Sequence, residues 1–182
     1  MDTWAWVVVA LVAIVAIALV SWAVQRRRER ELSDHLRQRF GPEYDRVAGD
    51  KTDADRRAGE TELRRREMRR DHLEIRPLAA EAQERYQQKW AGIQGAFVDE
   101  PESSVAEAEQ LVNEVMRQRG YPIADEFDNQ AELISVDHPE LVNNYRQAHR
   151  VFVRSQVHEA DTEELRNSLV YYRSLFNELL AA

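Results

Sequence analysis

Cysteine is absent from the 182 residues, which rules out disulfides and a lipoprotein anchor attached through cysteine. Glycine (6) and proline (5) are sparse, and no glycine-rich phosphate loop occurs. There is no His-Glu-x-x-His and no Gly-x-Ser-x-Gly. The residues three before His35, His72, His138, His149 and His158 are Leu32, Arg69, Ser135, Arg146 and Ser155, so the Glu-x-x-His signature of a di-iron bundle is missing as well. No stretch alternates apolar and polar residues convincingly with period two. These absences argue against an enzyme, and they suggest no cofactor and no metal.

Against that background one long uncharged run stands out, from Thr3 to Val24. As a helix it would be about 33 Å long, against a hydrocarbon core of about 30 Å. Trp4, Trp6 and Trp22 sit at its ends, where interfacial aromatics belong, and Arg26, Arg27, Arg28 and Arg30 follow at once. Residues 1–24 are therefore expected to be a transmembrane anchor. The rival reading is a cleaved signal peptide, opposed by the missing N-terminal positive charge, the length of the run and the arginines after it. With every nearby basic residue after the span, the expected location is the plasma membrane, single-pass, with the N-terminus outside and the C-terminal domain cytoplasmic. No small-xxx-small spacing in the run signals tight helix pairing.

The net charge of −8 is unevenly spread. Residues 26–85 hold 17 basic and 15 acidic side chains, whereas 86–182 hold 8 basic and 17 acidic. An acidic distal part is a poor candidate for binding nucleic acid.

Residues 25–76 read as a charged, largely helical connector. The first helix is expected to continue to about Arg39, where Phe40-Gly41-Pro42 breaks it. From Asp53 to Leu73 nearly every residue is charged, with Arg56, Arg57, Arg64, Arg65, Arg66, Arg69 and Arg70 among glutamates. Leu63 and Met68 make no stripe, so this helix is expected to be solvated or loosely docked. Its arginines could bind an anion, either lipid or nucleic acid. The plainer reading is an exposed helix with internal ion pairs, because both signs are mixed and no aromatic is interleaved.

Residues 77–182 show regular helical stripes. These are Ala79, Ala82, Tyr86, Trp90, Ile93 and Phe97; then Val105, Ala108, Leu111, Val115 and Met116; then the short set Phe127, Ala131 and Ile134. Two more follow: Leu141, Val142, Tyr145, Ala148 and Phe152, and Leu165, Leu169, Tyr172, Phe176 and Leu179. The predicted fold is all-α: a transmembrane helix, a charged connector and a distal antiparallel four-helix bundle with one short extra helix. Asp99-x-x-Glu102, Asp137-x-x-Glu140 and Asp161-x-x-Glu164 have the form of capping boxes, and Pro101 and Pro139 suit a first helical position. Gly92 and Gly95 weaken their helix or let another approach it closely. Ser135, Asp137, His138, Tyr145 and His149 could pair a histidine with a carboxylate, although capping alone accounts for Asp137 and Pro139.

Several segments resemble an uncharacterised family of small actinobacterial single-span membrane proteins. They are Arg39-Phe40-Gly41-Pro42-Glu43-Tyr44-Asp45, Ile75-Arg76-Pro77-Leu78, Phe97-Val98-Asp99, Arg119-Gly120-Tyr121-Pro122 and Ser135-Val136-Asp137-His138-Pro139. The resemblance implies the architecture and no activity. The expected function is a membrane-anchored, non-enzymatic adaptor presenting its bundle to a protein partner. The alternative is a tethered regulator binding anionic lipid or nucleic acid through Arg56–Arg70.

Overall fold

The computed structural model describes residues 3–49, 51–122 and 126–181; within the first helix the side chains at 3, 5–10 and 12–15, including that of Trp6, lie outside the description. The described residues form eight helices and no strand, so the chain is all-α as expected. They are α1 (Thr3–Phe40), α2 (Pro42–Ala48), α3 (Asp53–Asp71), α4 (Ala80–Ala96), α5 (Pro101–Arg119), α6 (Phe127–Asp137), α7 (Val142–Ser155) and α8 (Thr162–Ala181). Two compact units result, 1–39 and 40–182.

The first unit corrects the expectation of a membrane anchor. Among the described residues no helix is long and apolar enough to cross a membrane. The transmembrane helix over 1–24 and the single-pass plasma-membrane location both fall with it. Trp4 and Trp22 are exposed on α1, and the Arg26 guanidinium lies 5.0 Å over the Trp22 ring.

In the second unit α5 and α8 pack on each other, α7 packs on both, and α4 covers α5. The predicted stripes supply most of this core. Tyr86, Trp90 and Ile93 of α4 are buried, as are Val105, Ala108, Leu111, Val115 and Met116 of α5. Leu165, Leu169, Tyr172, Phe176 and Leu179 are buried on α8. Trp90 stacks on Phe176 with ring centroids 4.8 Å apart. Ala79, by contrast, is exposed just before α4, and Phe97 is only half-buried at its end.

One of the three predicted capping boxes forms. The Asp161 backbone N–H donates to Glu164 Oε2 at 3.0 Å, and the Glu164 N–H donates to Asp161 Oδ1 at 2.8 Å. Asp99 stands one residue too early, because α5 starts at Pro101 with Glu100 in the capping position. Asp137 ends α6 instead of starting α7, whose first residue is Val142, so Pro139 lies in the turn between them. Gly92 and Gly95 face open space, and no helix approaches them.

The largest departure is α3. It is neither solvated nor loosely docked: Gly59, Glu60, Leu63 and Arg66 are buried, and the helix packs against α2 and α6. A Cβ on Gly59 would overlap the Val47 carbonyl oxygen, so glycine permits this approach of α3 to α2.

Candidate interaction site

The arginines of α3 divide by helical face. Arg66 faces inward and is 5% exposed. Its Nη1 donates to Glu43 Oε1 at 2.9 Å, its Nη2 to Glu132 Oε1 at 3.2 Å and its Nε to Glu62 Oε1 at 3.2 Å. One guanidinium thus joins α2, α3 and α6. Arg69 Nη2 donates to Glu132 Oε2 at 2.5 Å, and Arg70 Nε donates to both Asp137 oxygens at 2.7 and 2.8 Å. The Tyr121 hydroxyl donates to Asp137 Oδ2 at 2.5 Å. The remaining contacts are local: Arg56 to Asp53 at 3.0 Å, Arg64 Nε to the Glu60 carbonyl at 3.4 Å, and Arg65 to Glu62. Arg57 is exposed.

Glu43 is the centre of this network. Its side chain is 1% exposed, yet it accepts from Arg66, from Arg46 at 2.8 and 2.6 Å, and from Arg146 of α7 at 2.8 and 2.9 Å. Burial alone would raise its pKa. The hydrogen bonds and charges of Arg46 and Arg146 outweigh that and hold the carboxyl at about 2. A buried carboxylate with three guanidinium partners is fully satisfied, the condition under which buried charge is tolerated. Across α2 and α3, the Tyr44 hydroxyl adds a bond to Glu60 Oε1 at 2.8 Å.

Beside this network, α3 and α6 leave a surface groove of about 570 Å³, lined by Arg65, Met68, Arg69, His72, Leu73, Pro122, Asn129 and Leu133. Its floor is apolar, and Met68 is 57% exposed. Its rim is basic: Arg65 and Arg69 keep 66% and 40% of their side chains exposed, and His72 is exposed too. The Arg69 Nε–H is buried and meets no acceptor among the described residues. Among the described residues no carboxylate lines the groove.

The five-residue constellation does not assemble into a catalytic unit. Asp137 is engaged by Arg70 and Tyr121, the Ser135 hydroxyl donates to the Glu132 carbonyl at 2.6 Å, and His138 Nδ1 lies 4.0 Å from Glu178. Burial lowers the His138 pKa against the opposing pull of Asp137 and Glu178. His149 does meet a carboxylate, Glu109 of α5, at 3.2 Å. Its ring is covered by Phe127, with centroids 3.6 Å apart. The nearby Tyr145 and Tyr172 phenols are pushed up by burial and by Glu109, which keeps them protonated and poor nucleophiles. Among the described residues no group of three His, Asp or Glu side chains could hold a metal ion.

Sequence spacing shows the pairs three or four residues apart, such as Arg46 with Glu43 and Arg66 with Glu62. It carries no signal for Arg66 with Glu132 or Arg146 with Glu43, or for the groove. No protein-family model matches the chain, and neither a curated protein nor a solved structure matches it.

Proposed function

We propose that this chain is a non-enzymatic helical interaction protein, and that its second unit presents the α3–α6 face to a protein partner. The observation that carries this reading is the groove. It is an apolar surface held open between two helices, with a large thioether side chain left in water at Met68. Around it the chemically versatile groups serve the fold: the carboxylates of Glu43, Glu132 and Asp137 neutralise arginines, and the His149–Glu109 pair lies under Phe127.

Anion binding by the whole row Arg56–Arg70 is less well supported. Arg66, Arg69 and Arg70 already hold carboxylates from α2 and α6, so an external lipid phosphate or nucleic acid would have to displace them.

The test compares partners captured by tagged full-length protein and by its Met68→Glu variant. Met68 contributes little to the core, so the variant should retain its helical circular-dichroism signal and melting temperature. A partner bound through this face should be lost from the variant. Capture of the same partners at unchanged yield would overturn the reading.

A further inference from the structure

We propose that the occupant of this groove is an acidic amphipathic α-helix, seated with its apolar face on Met68, Leu73 and Leu133 and its carboxylates toward Arg65 and Arg69. The inference rests on the reading of this face as a protein interface and specifies what fits it.

Spacing is the first argument. Arg65, Met68, Arg69 and His72 occur at i, i+3, i+4 and i+7 along one face of α3 and the residue that caps it. That face covers about 10 Å of axis, two helical turns. A partner helix laid along it would offer apolar side chains at the same intervals. The second argument is the absence of a sheet edge. All regular elements among the described residues are helices, so an extended peptide would find no strand to pair with, whereas a helix needs only side-chain contacts.

Charge supplies the third argument. The protein as a whole carries −8, yet among the described residues the charged side chains lining this groove are the arginines Arg65 and Arg69. An acidic partner is disfavoured by the net negative charge, which is concentrated over residues 86–182, and attracted here, which gives orientation and selectivity. Arg65 and Arg69 keep 66% and 40% of their side chains exposed, so a partner carboxylate can approach them while Arg69 Nη2 stays with Glu132.

The experiment uses full-length protein and two fluorescein-labelled, helix-forming peptides of about four turns. Both carry the same leucine stripe; one is flanked by glutamate, the other by lysine. Fluorescence polarisation should show the glutamate peptide binding at least about tenfold more tightly and weakening as salt rises. Arg65→Glu should remove about that tenfold advantage and shift preference toward the lysine peptide. Circular dichroism of the variant should be unchanged, since among the described residues Arg65 pairs only with its helix neighbour Glu62. No saturable binding of the glutamate peptide, equal binding of both peptides, or unchanged affinity in Arg65→Glu would overturn the proposal. Displacement of the glutamate peptide by phosphatidylglycerol vesicles but not by neutral ones would overturn it in favour of a lipid occupant. If these arms fail while Met68→Glu still abolishes partner capture, the interface stands and the acidic helix is the error. If Met68→Glu leaves capture intact, the interface reading itself fails.

Discussion

Helices α8 and α3 are nearly equal in length, 20 and 19 residues, yet they are held to the second unit by different forces. α8 buries seven large apolar or aromatic side chains, from Leu165 to Leu180, and its attachment follows from removing that surface from water. α3 buries one, Leu63, and is attached through Arg66, Arg69 and Arg70 to carboxylates on α2 and α6. Apolar packing is non-directional and tolerates salt and acid. An ion-pair interface depends on geometry and on protonation, so the two helices should respond differently to the same perturbations.

The largest effect is expected in the apolar half. Trp90→Ala removes an indole that stacks on Phe176 of α8 and is 4% exposed. A loss of about 3–5 kcal/mol is expected from denaturant unfolding, the range for truncating a buried aromatic. Trp90 Nε1 is buried without an acceptor, so Trp90→Phe keeps a stacked ring and deletes an unsatisfied donor. It should cost far less than the alanine. Equal losses for the two would mean that the stacking contributes nothing.

Next comes Glu43. Glu43→Gln leaves Arg66 and Arg146 beside a neutral amide in a largely buried setting. The expected loss is about 3 kcal/mol, the lower end for breaking a buried pair, because Arg46 can turn to solvent. Acid should act through the same group. Its folded pKa of about 2 lies below the ordinary 4.5, so the stabilisation is complete above pH 4.5 and is lost as pH falls toward 2. His138 acts in the same direction at higher pH. Its folded pKa is lowered from 6.5, so the unfolded chain binds the extra proton and stability begins to fall below that pH. Wild type should therefore lose stability steeply between pH 4.5 and 2, and Glu43→Gln should have a flatter acid limb. Superimposable pH profiles would break the electrostatic account of α3.

A pair of glycine substitutions separates the regions by sign. In Gly59→Ala the new methyl collides with the Val47 carbonyl and comes within 3.0 Å of Ala48, so α3 must move off α2. A loss of about 1–3 kcal/mol is expected, the usual cost of overpacking. Gly92 in α4 has nothing within 4 Å of that position, and Gly92→Ala should stabilise by up to about 1 kcal/mol through helix propensity.

The same division decides what was legible in the sequence. The stripes of α4, α5, α7 and α8 could be read because a buried helical face repeats every three or four residues whatever it packs against. Only the ends slipped, as at Ala79 and Phe97. The docking of α3 was illegible, because Arg66 with Glu132 is a pairing across 66 residues with no periodic trace. Asp137 shows the same limit more sharply. Asp137-x-x-Glu140 and Asp161-x-x-Glu164 have the same form, yet only the second caps a helix; the first aspartate is taken by Arg70 and Tyr121. The groove combined both difficulties, since its wall is an arginine-rich helix whose position depends on those distant pairs. Over 1–24 the run of apolar residues is plain in the sequence, but the described part of α1 yields no segment able to span a membrane.

The smallest effects test whether burial separates the ion pairs themselves. Lys89 joins α4 to Glu114 of α5 at 2.8 Å, with both side chains about half exposed. A double-mutant cycle with Lys89→Met and Glu114→Gln should give a coupling of about 0.2–1 kcal/mol, which shrinks in high salt. Arg70 and Asp137 are also joined at 2.7 Å, but their side chains are only 25% and 12% exposed, and Tyr121 holds the carboxylate from a second direction. Less solvent screens that pair, and the preset carboxylate forfeits little side-chain freedom on pairing. The cycle with Arg70→Met and Asp137→Asn should therefore give the larger coupling and the weaker salt dependence. Indistinguishable couplings would mean that the pairs holding α3 behave as surface pairs do. The helix would then depend mainly on Leu63 and the close approach at Gly59.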